Sequence, residues 1–181
     1  MDSSLTISGM GARREIALSL RVVHVAHKAR EIVQKKGDTH ITRPHLYAAL
    51  YFTPSLSRSI LDSLLLENGN QAIFQDIVNW QIEPSELQPK DRVDETLILE
   101  IVKRALVIAV KLNHKQLNTA HFLAASITLK QNHPTPKIVE LLEKLGVTSE
   151  GVLRSLSEVI EAVNVDKPAG SEDITVVELE L

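Results

Sequence analysis

The histidines are the first candidates for chemistry in this sequence, because imidazole can transfer protons near neutral pH or ligate a metal. His24 and His27 are three positions apart, so on a helix they would lie on one side and could share a metal ion. No third ligand is evident, and we expect no metal site there. His45 and His121 could act as acid–base residues, but no nucleophile or carboxylate accompanies them in a linked motif. We therefore expect no catalytic residue and no cofactor.

His45 and His121 occupy the same position in two related segments that are 76 residues apart without a gap. The residue three places before each histidine is Thr42 or Asn118, and both are good helix N-caps. Each histidine then falls at the third helical position, where a side chain can reach back to the cap residue, as in a capping box. Two helix starts with an apolar inner face are therefore predicted, in the segments Ile41–Leu50 and Leu117–Ser126.

The duplication continues into the helix that precedes each of these segments. Apolar residues recur there at spacings of three and four, and the same 76-residue shift superimposes the two stripes. Gly37 and Asn113 follow at equivalent positions, and these two residue types best tolerate the left-handed conformation that ends a helix. The stripes are Val22, Val25/Ala26, Ala29, Ile32/Val33 and Ile98, Ile101/Val102, Ala105, Ile108/Ala109.

Two further helices are predicted in each copy. In the first copy they cover about 55–68 and 71–82, the second of these with Ile73, Ile77 and Trp80 inward. In the second copy they cover about 136–145 and a stretch that begins at Thr148 or Ser149, and a shift of 79 relates the two fourth helices. The first helix is predicted to begin near Arg13.

The predicted fold is all-α, with about eight helices in two pseudo-symmetric four-helix repeats that form one compact domain. Its divisions are a flexible arm over 1–11, a first repeat over 12–82, a linker over 83–93, a second repeat over 94–163 and an acidic flexible tail over 164–181. The alternation of apolar and acidic residues from Ile174 to Leu181 would also suit a strand added to a partner, but we interpret it as tail.

Composition narrows the class of protein. Aromatic residues make up only 3% of the 181 residues, so the core must be mainly aliphatic. No cysteine is present, which excludes disulfides and thiolate metal sites and fits a reducing compartment. The net charge of −3 argues against a general nucleic-acid binder. No apolar run approaches the length of a membrane span and no signal peptide is evident, so we expect a protein of the cytoplasm or of a stroma-like organelle compartment.

The repeated pattern of a helix, a Gly or Asn stop, the motif helix and two more helices resembles the Clp N-terminal (Clp repeat) domain. The resemblance covers about residues 12–163. In that family the domain precedes the ATPase rings of Clp unfoldases or occurs alone as an accessory subunit of Clp protease complexes. The residues that carry the resemblance are Ile41, Thr42, His45, Leu46, Ala49 and Leu50 in the first copy, and Leu117, His121, Phe122 and Ala125 in the second.

The sequence departs from the family in two respects. Many relatives that bind phosphorylated arginine have a Glu immediately before the motif histidine, where this chain has Pro44 and Ala120. A guanidinium would have no bidentate carboxylate there, so phosphoarginine recognition is not carried over. No glycine in the chain is followed by lysine, so the phosphate-binding motif of the ATPase rings is missing. The resemblance then implies a free-standing accessory protein or the N-terminal domain of a longer Clp ATPase.

Two sets of residues are candidates for partner binding. The first helix carries Arg13, Arg14, Arg21 and other cations, so it is basic. A solvated face is the favoured interpretation, followed by a binding site for an acidic protein. A nucleic-acid surface is the least favoured alternative. The aromatic residues Tyr47, Tyr51 and Phe52 would either pack in the core or line an apolar groove between the copies that holds a peptide. Trp80 is interpreted as core or as a plug near the linker.

These observations favour a non-catalytic protein-binding module. It would recruit substrates or adaptors to a Clp unfoldase–protease, or regulate its assembly, with Clp ATPase or protease subunits, adaptors or unfolded substrates as partners. The alternative is a helical regulator that binds nucleic acid through the basic first helix.

Overall fold

Eight helices make up most of the described part of the computed structural model, which covers residues 4–9, 12–83, 92–129, 137–163 and 174–175. The prediction of an all-α fold of eight helices is confirmed. None of the helices in the described ranges is long and apolar enough to span a membrane. The helices are α1 (Leu20–Lys36), α2 (Arg43–Phe52), α3 (Leu56–Glu67), α4 (Gln71–Ile82), α5 (Thr96–Lys111), α6 (Thr119–Thr128), α7 (Lys137–Lys144) and α8 (Ser149–Val163).

The 76-residue offset seen in the sequence also relates the helices. Helices α1 and α5 begin at residues 20 and 96, and α2 and α6 begin at 43 and 119. Both predicted stops adopt the left-handed conformation, with φ of 75° at Gly37 and 56° at Asn113. Among the described residues Asn113 is the one non-glycine with positive φ. The same stop therefore ends the first helix of each copy.

Helices α2 and α6 form the centre of the core and are buried along most of their length. Helix α2 contacts α1, α3, α4 and α6, and α6 contacts α1, α3, α5 and α8. Buried Arg43 donates through Nε to the Ser126 carbonyl (3.0 Å) and through its guanidinium to the Leu129 carbonyl, at the end of α6. In the equivalent position, Thr119 Oγ1 accepts from the Ser57 amide (3.0 Å). The start of α2 thus lies beside the end of α6, and the start of α6 lies beside the start of α3.

Short parallel backbone pairings connect the two copies. His40 forms a parallel bridge with Asp94, which precedes α5. In the other direction, Ala17 and Leu18, just before α1, pair in parallel with β3 (Gln116–Leu117). Each copy therefore binds the other just upstream of its first helix, which supports the description of the repeats as one compact domain.

The N-terminal prediction is wrong in detail. The first helix begins at Leu20 instead of Arg13, and the preceding residues form an antiparallel pair of strands, β1 (Ser4–Gly9) and β2 (Ala12–Ser19). Part of the predicted flexible arm is therefore a strand. The apolar residues Ile16 and Leu18 are both buried, a spacing of two that suits a strand, and Ser19 caps α1 by accepting from the Arg21 amide (3.3 Å).

The predicted tail also contributes a strand. Residues 174–175 form β4, which pairs antiparallel with Leu18 and Ser19 of β2, so the strand found there joins this chain rather than a partner. The rest of the tail, the linker residues 84–91 and residues 130–136 lie outside the described residues.

The predicted inner face of α4 is wrong. Phe74, Val78 and Gln81 are the buried residues, while Ile73 and Trp80 are 50% and 62% exposed. Of the three residues predicted to face inward, only Ile77 packs against the core, and it is half-buried. The buried residues of α4 and α8 superimpose with a shift of 78 residues, not the predicted 79. Phe74 and Val78 then correspond to Val152 and Leu156, which are also buried. The predicted inner stripe is one residue away from the buried one. One residue corresponds to a rotation of about 100° around the helix axis, so the prediction that Trp80 faces inward is wrong.

Asn113 provides a test of the shared helix stop. Replacing Asn113 by Ala should lower the unfolding free energy by about 1 kcal/mol, because a Cβ without a compensating amide disfavours positive φ. Asn113→Gly should leave stability unchanged or raise it slightly, since glycine adopts this conformation freely. Urea unfolding of both variants measures the difference. Equal stability of the Ala and Gly variants would contradict the assignment.

Arg43 provides a test of the contact between the copies. Arg43→Met retains most of the apolar length but leaves the Ser126 and Leu129 carbonyls without their donor, and we expect a loss of about 2–4 kcal/mol. Arg104→Met is the matched control, because exposed Arg104 makes only one 3.4 Å side-chain bond to Thr128 among the contacts described here. Chemical denaturation compares the two, and similar losses would show that Arg43 has no special role.

Candidate functional site

The first motif histidine is buried and fully engaged in hydrogen bonds. His45 Nδ1 accepts from the Thr42 amide (3.1 Å) and lies 2.9 Å from Thr42 Oγ1. Since Nδ1 accepts, the neutral ring carries its proton on Nε2, which donates to Asp38 Oδ2 at 3.1 Å. Burial lowers the pKa of His45, and attraction to Asp38 offsets part of that shift.

The second motif histidine repeats this arrangement with a different partner. His121 Nδ1 accepts from the Asn118 amide (3.1 Å), and Asn118 Oδ1 accepts from the amides of Ala120 (2.9 Å) and His121 (3.4 Å). The Nε2 proton of His121 then points to His114 Nδ1, 2.8 Å away. Burial, followed by repulsion from His114, lowers the pKa of His121 to about 3.

Both histidines therefore act as neutral structural residues. The predicted capping boxes at Thr42–His45 and Asn118–His121 are present, and each Nε2 bonds to the residue seven positions upstream. Within the described ranges no three His, Cys, Asp or Glu side chains come together as a metal site. His24 and His27 are both exposed on α1.

The three aromatic residues predicted for a peptide groove have separate positions. Tyr47 is 1% exposed and its hydroxyl lies 3.2 Å from Ser126 Oγ, and burial raises its pKa to about 12. Tyr51 is buried and packs edge-on against Phe52 and Phe74, with ring centroids 5.3 and 5.5 Å apart. Tyr47 and Tyr51 thus belong to the core and do not line a groove. Phe52 is half-buried and packs against the core.

The basic face of α1 is partly neutralised. Arg30 makes a two-pronged ion pair with Glu95, at 2.8 and 2.5 Å, and Lys28 and Lys35 both contact Glu31. Arg21 is exposed on the first turn of α1, whereas Arg13 and Arg14 lie on β2 and not on the helix. Three of the five lysines and arginines of α1 thus have an acidic partner, and the described residues of this face do not favour a nucleic-acid surface.

Two cavities flank the end of α4, a position that the sequence analysis did not identify as a site. The first, of about 410 Å³, is lined by Asp38, Thr42, Pro44, His45 and Trp80 among others. The second, of about 400 Å³, lies against the last half of α1. Gln81 lines both, so the two cavities lie close to each other at the end of α4. The second cavity is lined by Lys28, Glu31, Ile32, Lys35, Lys36, Ile82 and Glu83.

Trp80 is the most distinctive residue of this surface. Its ring is 62% exposed, and Lys36 holds it by donating from Nζ to the Trp80 carbonyl (2.7 Å) and by lying 5.0 Å from the ring centroid. The indole is therefore positioned by a lysine at the end of α1. The sequence does contain a signal for this exposure. If Phe74 and Val78 form the inner stripe of α4, helical geometry places Trp80 on the outer side.

We refer to Trp80, Gln81, Ile82 and the two cavities beside them as the α4-end groove. Its walls come from the ends of α1 and α4 and the start of α2, all in the first copy. It can accept an elongated ligand with apolar contacts, and its lining includes both acidic and basic side chains.

Solved structures that are similar to this chain include N-terminal domains of ClpV and Hsp104. The N-domain of ClpV from Vibrio cholerae is 15% identical with a TM-score of 0.60, over 80% of this chain and 85% of that one. The Hsp104 N-terminal domain from Candida albicans is 14% identical with a TM-score of 0.53, over 85% and 92%. The N-terminal domain of the ClpV1 ATPase from Escherichia coli is 17% identical with a TM-score of 0.56, over 80% and 86%.

These similarities establish a Clp N-domain-like fold for this chain, as the sequence resemblance predicted. Comparison with known protein families gives no match. Comparison with curated proteins gives none either.

His121 makes stability depend on pH. Its pKa is about 3 in the folded chain and near 6.5 in the unfolded chain, so the unfolded chain binds the proton first. The stabilisation is complete above about pH 6.5 and is lost as the pH falls toward 3, by at most about 1.4 kcal/mol per pH unit for this group. Urea unfolding at a series of pH values between 7 and 4 measures the slope.

The variant His121→Gln should flatten that slope, although it also lowers stability at pH 7. His24→Gln is the control, because exposed His24 should leave the slope unchanged. An identical slope in wild type and His121→Gln would contradict the role of His121.

Proposed function

We propose that this chain is a non-catalytic protein-binding module that recruits substrates or adaptors to a Clp unfoldase–protease, or regulates its assembly. Its partners would be Clp ATPase or protease subunits, adaptor proteins or unfolded substrates. The Clp N-domain-like fold supports the general class, because the similar structures are N-terminal domains that accompany ATPases. The motif histidines support the absence of catalysis, since their ring nitrogens are already engaged in structural hydrogen bonds.

The observation that carries the proposal is the exposed Trp80, which lines the first of two neighbouring cavities. Tryptophan is enriched among the residues that contribute most to protein–protein binding, because it buries a large apolar area at small entropic cost. Here the indole is held by Lys36 before any partner binds, which reduces the ordering that binding would require. We therefore assign partner binding to the α4-end groove.

The groove replaces the surface predicted from Tyr47 and Tyr51, which are buried. Phe52, Arg13, Arg14 and Arg21 stay candidates for partner contact. Both a stand-alone accessory protein and the N-terminal domain of a longer Clp ATPase are compatible with a groove formed by the first copy alone.

Trp80 allows a direct test because it is the one tryptophan in the sequence. Titration with a permanently unfolded protein should shift its fluorescence to shorter wavelength as the ring is covered. Trp80→Ala should weaken binding of a fluorescently labelled unfolded chain about tenfold, as expected for a central interface residue. Leu99→Ala is the matched control, because Leu99 on α5 is also 62% exposed and lines neither cavity.

The same variants separate the proposal from its competitors. Purified Clp ATPase and protease subunits should bind wild type and Leu99→Ala but lose affinity for Trp80→Ala. If neither unfolded chains nor Clp subunits bind, or if Trp80→Ala binds as well as wild type, the assignment of this groove fails.

A further inference from the structure

The charged side chains that line the two cavities of the α4-end groove differ in sign, and Lys36 lies near both cavities because it contacts Trp80. In the first cavity Asp38 supplies a carboxylate that is 48% exposed, and no Lys or Arg is among its described lining residues. Asp94 adds a second negative charge near this cavity. Its carboxylate lies 3.6 Å from the ring of His40, and His40 lines the cavity. In the second cavity three lysines, Lys28, Lys35 and Lys36, outnumber the two glutamates.

The charges of the second cavity are accessible despite their internal pairing. Lys28 and Lys35 share the single carboxylate of Glu31, with Nζ–O distances of 3.3 and 2.6 Å. Lys35 is 74% exposed. Two ammonium groups on one carboxylate leave a net positive charge that an anionic side chain of a ligand can approach.

Helix dipoles do not reverse this polarity. The start of α2 faces the first cavity and contributes about half a positive charge, which is smaller than the full negative charge of Asp38. Asp38 already bonds to His45 in the first turn of that helix, so the carboxylate compensates the helix end directly. At the second cavity the lysines lie on the last turns of α1, where the partial charge of the helix end is negative and again smaller than theirs.

Each cavity has one large exposed apolar side chain among its lining residues. Trp80 belongs to the first cavity and Ile82, which is 48% exposed, belongs to the second, with Gln81 between them. A helix end that only faces water usually carries polar side chains. Here Trp80 and Ile82 are large, apolar and exposed, and each lies beside a cavity. A ligand complementary to this surface needs an apolar middle and opposite charges at its ends.

We propose that the α4-end groove binds a short segment of a partner polypeptide that has a basic side chain at one end, apolar side chains in the middle and an acidic side chain at the other end. The basic side chain pairs with Asp38, the apolar middle covers Trp80 and Ile82, and the acidic side chain pairs with Lys35 and its neighbours. This inference rests on the proposed function and adds the chemical class of segment that is recognised.

The test uses ten-residue peptides with a central Leu-Phe pair. The parent peptide has two arginines at one end and two glutamates at the other, and two further peptides have either the arginines or the glutamates replaced by glutamine. Each peptide carries a fluorescent label, and its binding to the full chain is followed by fluorescence anisotropy at low salt, so that Trp80→Ala can be measured in the same way as wild type. The parent peptide should bind more tightly than either of the other two, by about two- to fivefold, the effect of one exposed ion pair.

Protein variants assign each charge to its end of the groove. Lys35→Glu should weaken the parent peptide about three- to tenfold but leave the glutamate-free peptide unchanged, since a charge reversal adds repulsion to the lost attraction. Asp38→Asn keeps an oxygen for the His45 hydrogen bond and should weaken only the peptides that contain arginine. The fold of each variant is verified by circular dichroism and thermal melting.

Two matched controls use sites outside the groove. Lys111→Glu changes the lysine that lies 76 positions after Lys35, in the equivalent last turn of α5. Asp76→Asn removes an exposed carboxylate of α4 that lines neither cavity. Neither control should alter the affinity of any of the three peptides.

The outcomes distinguish this inference from the proposed function. If Trp80→Ala abolishes binding while Lys35→Glu and Asp38→Asn have no effect, the groove binds polypeptide without charge selection and only the present inference is overturned. If no peptide and no unfolded chain binds, both are overturned. A change in Trp80 emission with protein concentration alone, together with dimer in sedimentation, would assign the groove to a second copy and would also overturn the inference.

Discussion

The structure depends on the burial of two central helices, α2 and α6. Nearly every side chain along them is inaccessible to solvent, so every polar group at their starts must find a partner inside the protein. The motif histidines solve this problem in both copies by accepting from the N-cap amide and donating to a residue seven positions upstream. Among the described residues no buried side-chain nitrogen or oxygen lacks a hydrogen-bond partner.

The pseudo-symmetry is close in the backbone and relaxed in the side chains. The upstream partner of the motif histidine is Asp38 in one copy and His114 in the other, at positions 76 residues apart. The first residue of each central helix reaches the other copy, but it is a buried arginine in one case and a threonine in the other. The backbone geometry stays the same despite such differences. A helix cap needs only a suitable hydrogen-bond donor or acceptor, and a helix end needs only a residue that adopts positive φ. Several residue types meet each requirement.

The candidate binding surface arises where the two copies differ. Both fourth helices bury the same stripe, yet only α4 has a tryptophan on its outer side, beside the end of α1. The site is therefore a property of one repeat placed on a symmetric scaffold. One fold can carry different sites, and here the fold is recognisable in solved structures at 14–17% identity.

The sequence by itself determined the repeated helices, their stops at Gly37 and Asn113 and the capping boxes, because these features depend on neighbours within a few residues. Tertiary structure alone decided that Ala12–Ser19 is a strand, since its backbone partners come from β1, β3 and β4. It also decided that Tyr47 lies in the core and Trp80 outside. Periodicity specifies that a helix has an inner face, but which of two adjacent stripes turns inward depends on the helices packed against it.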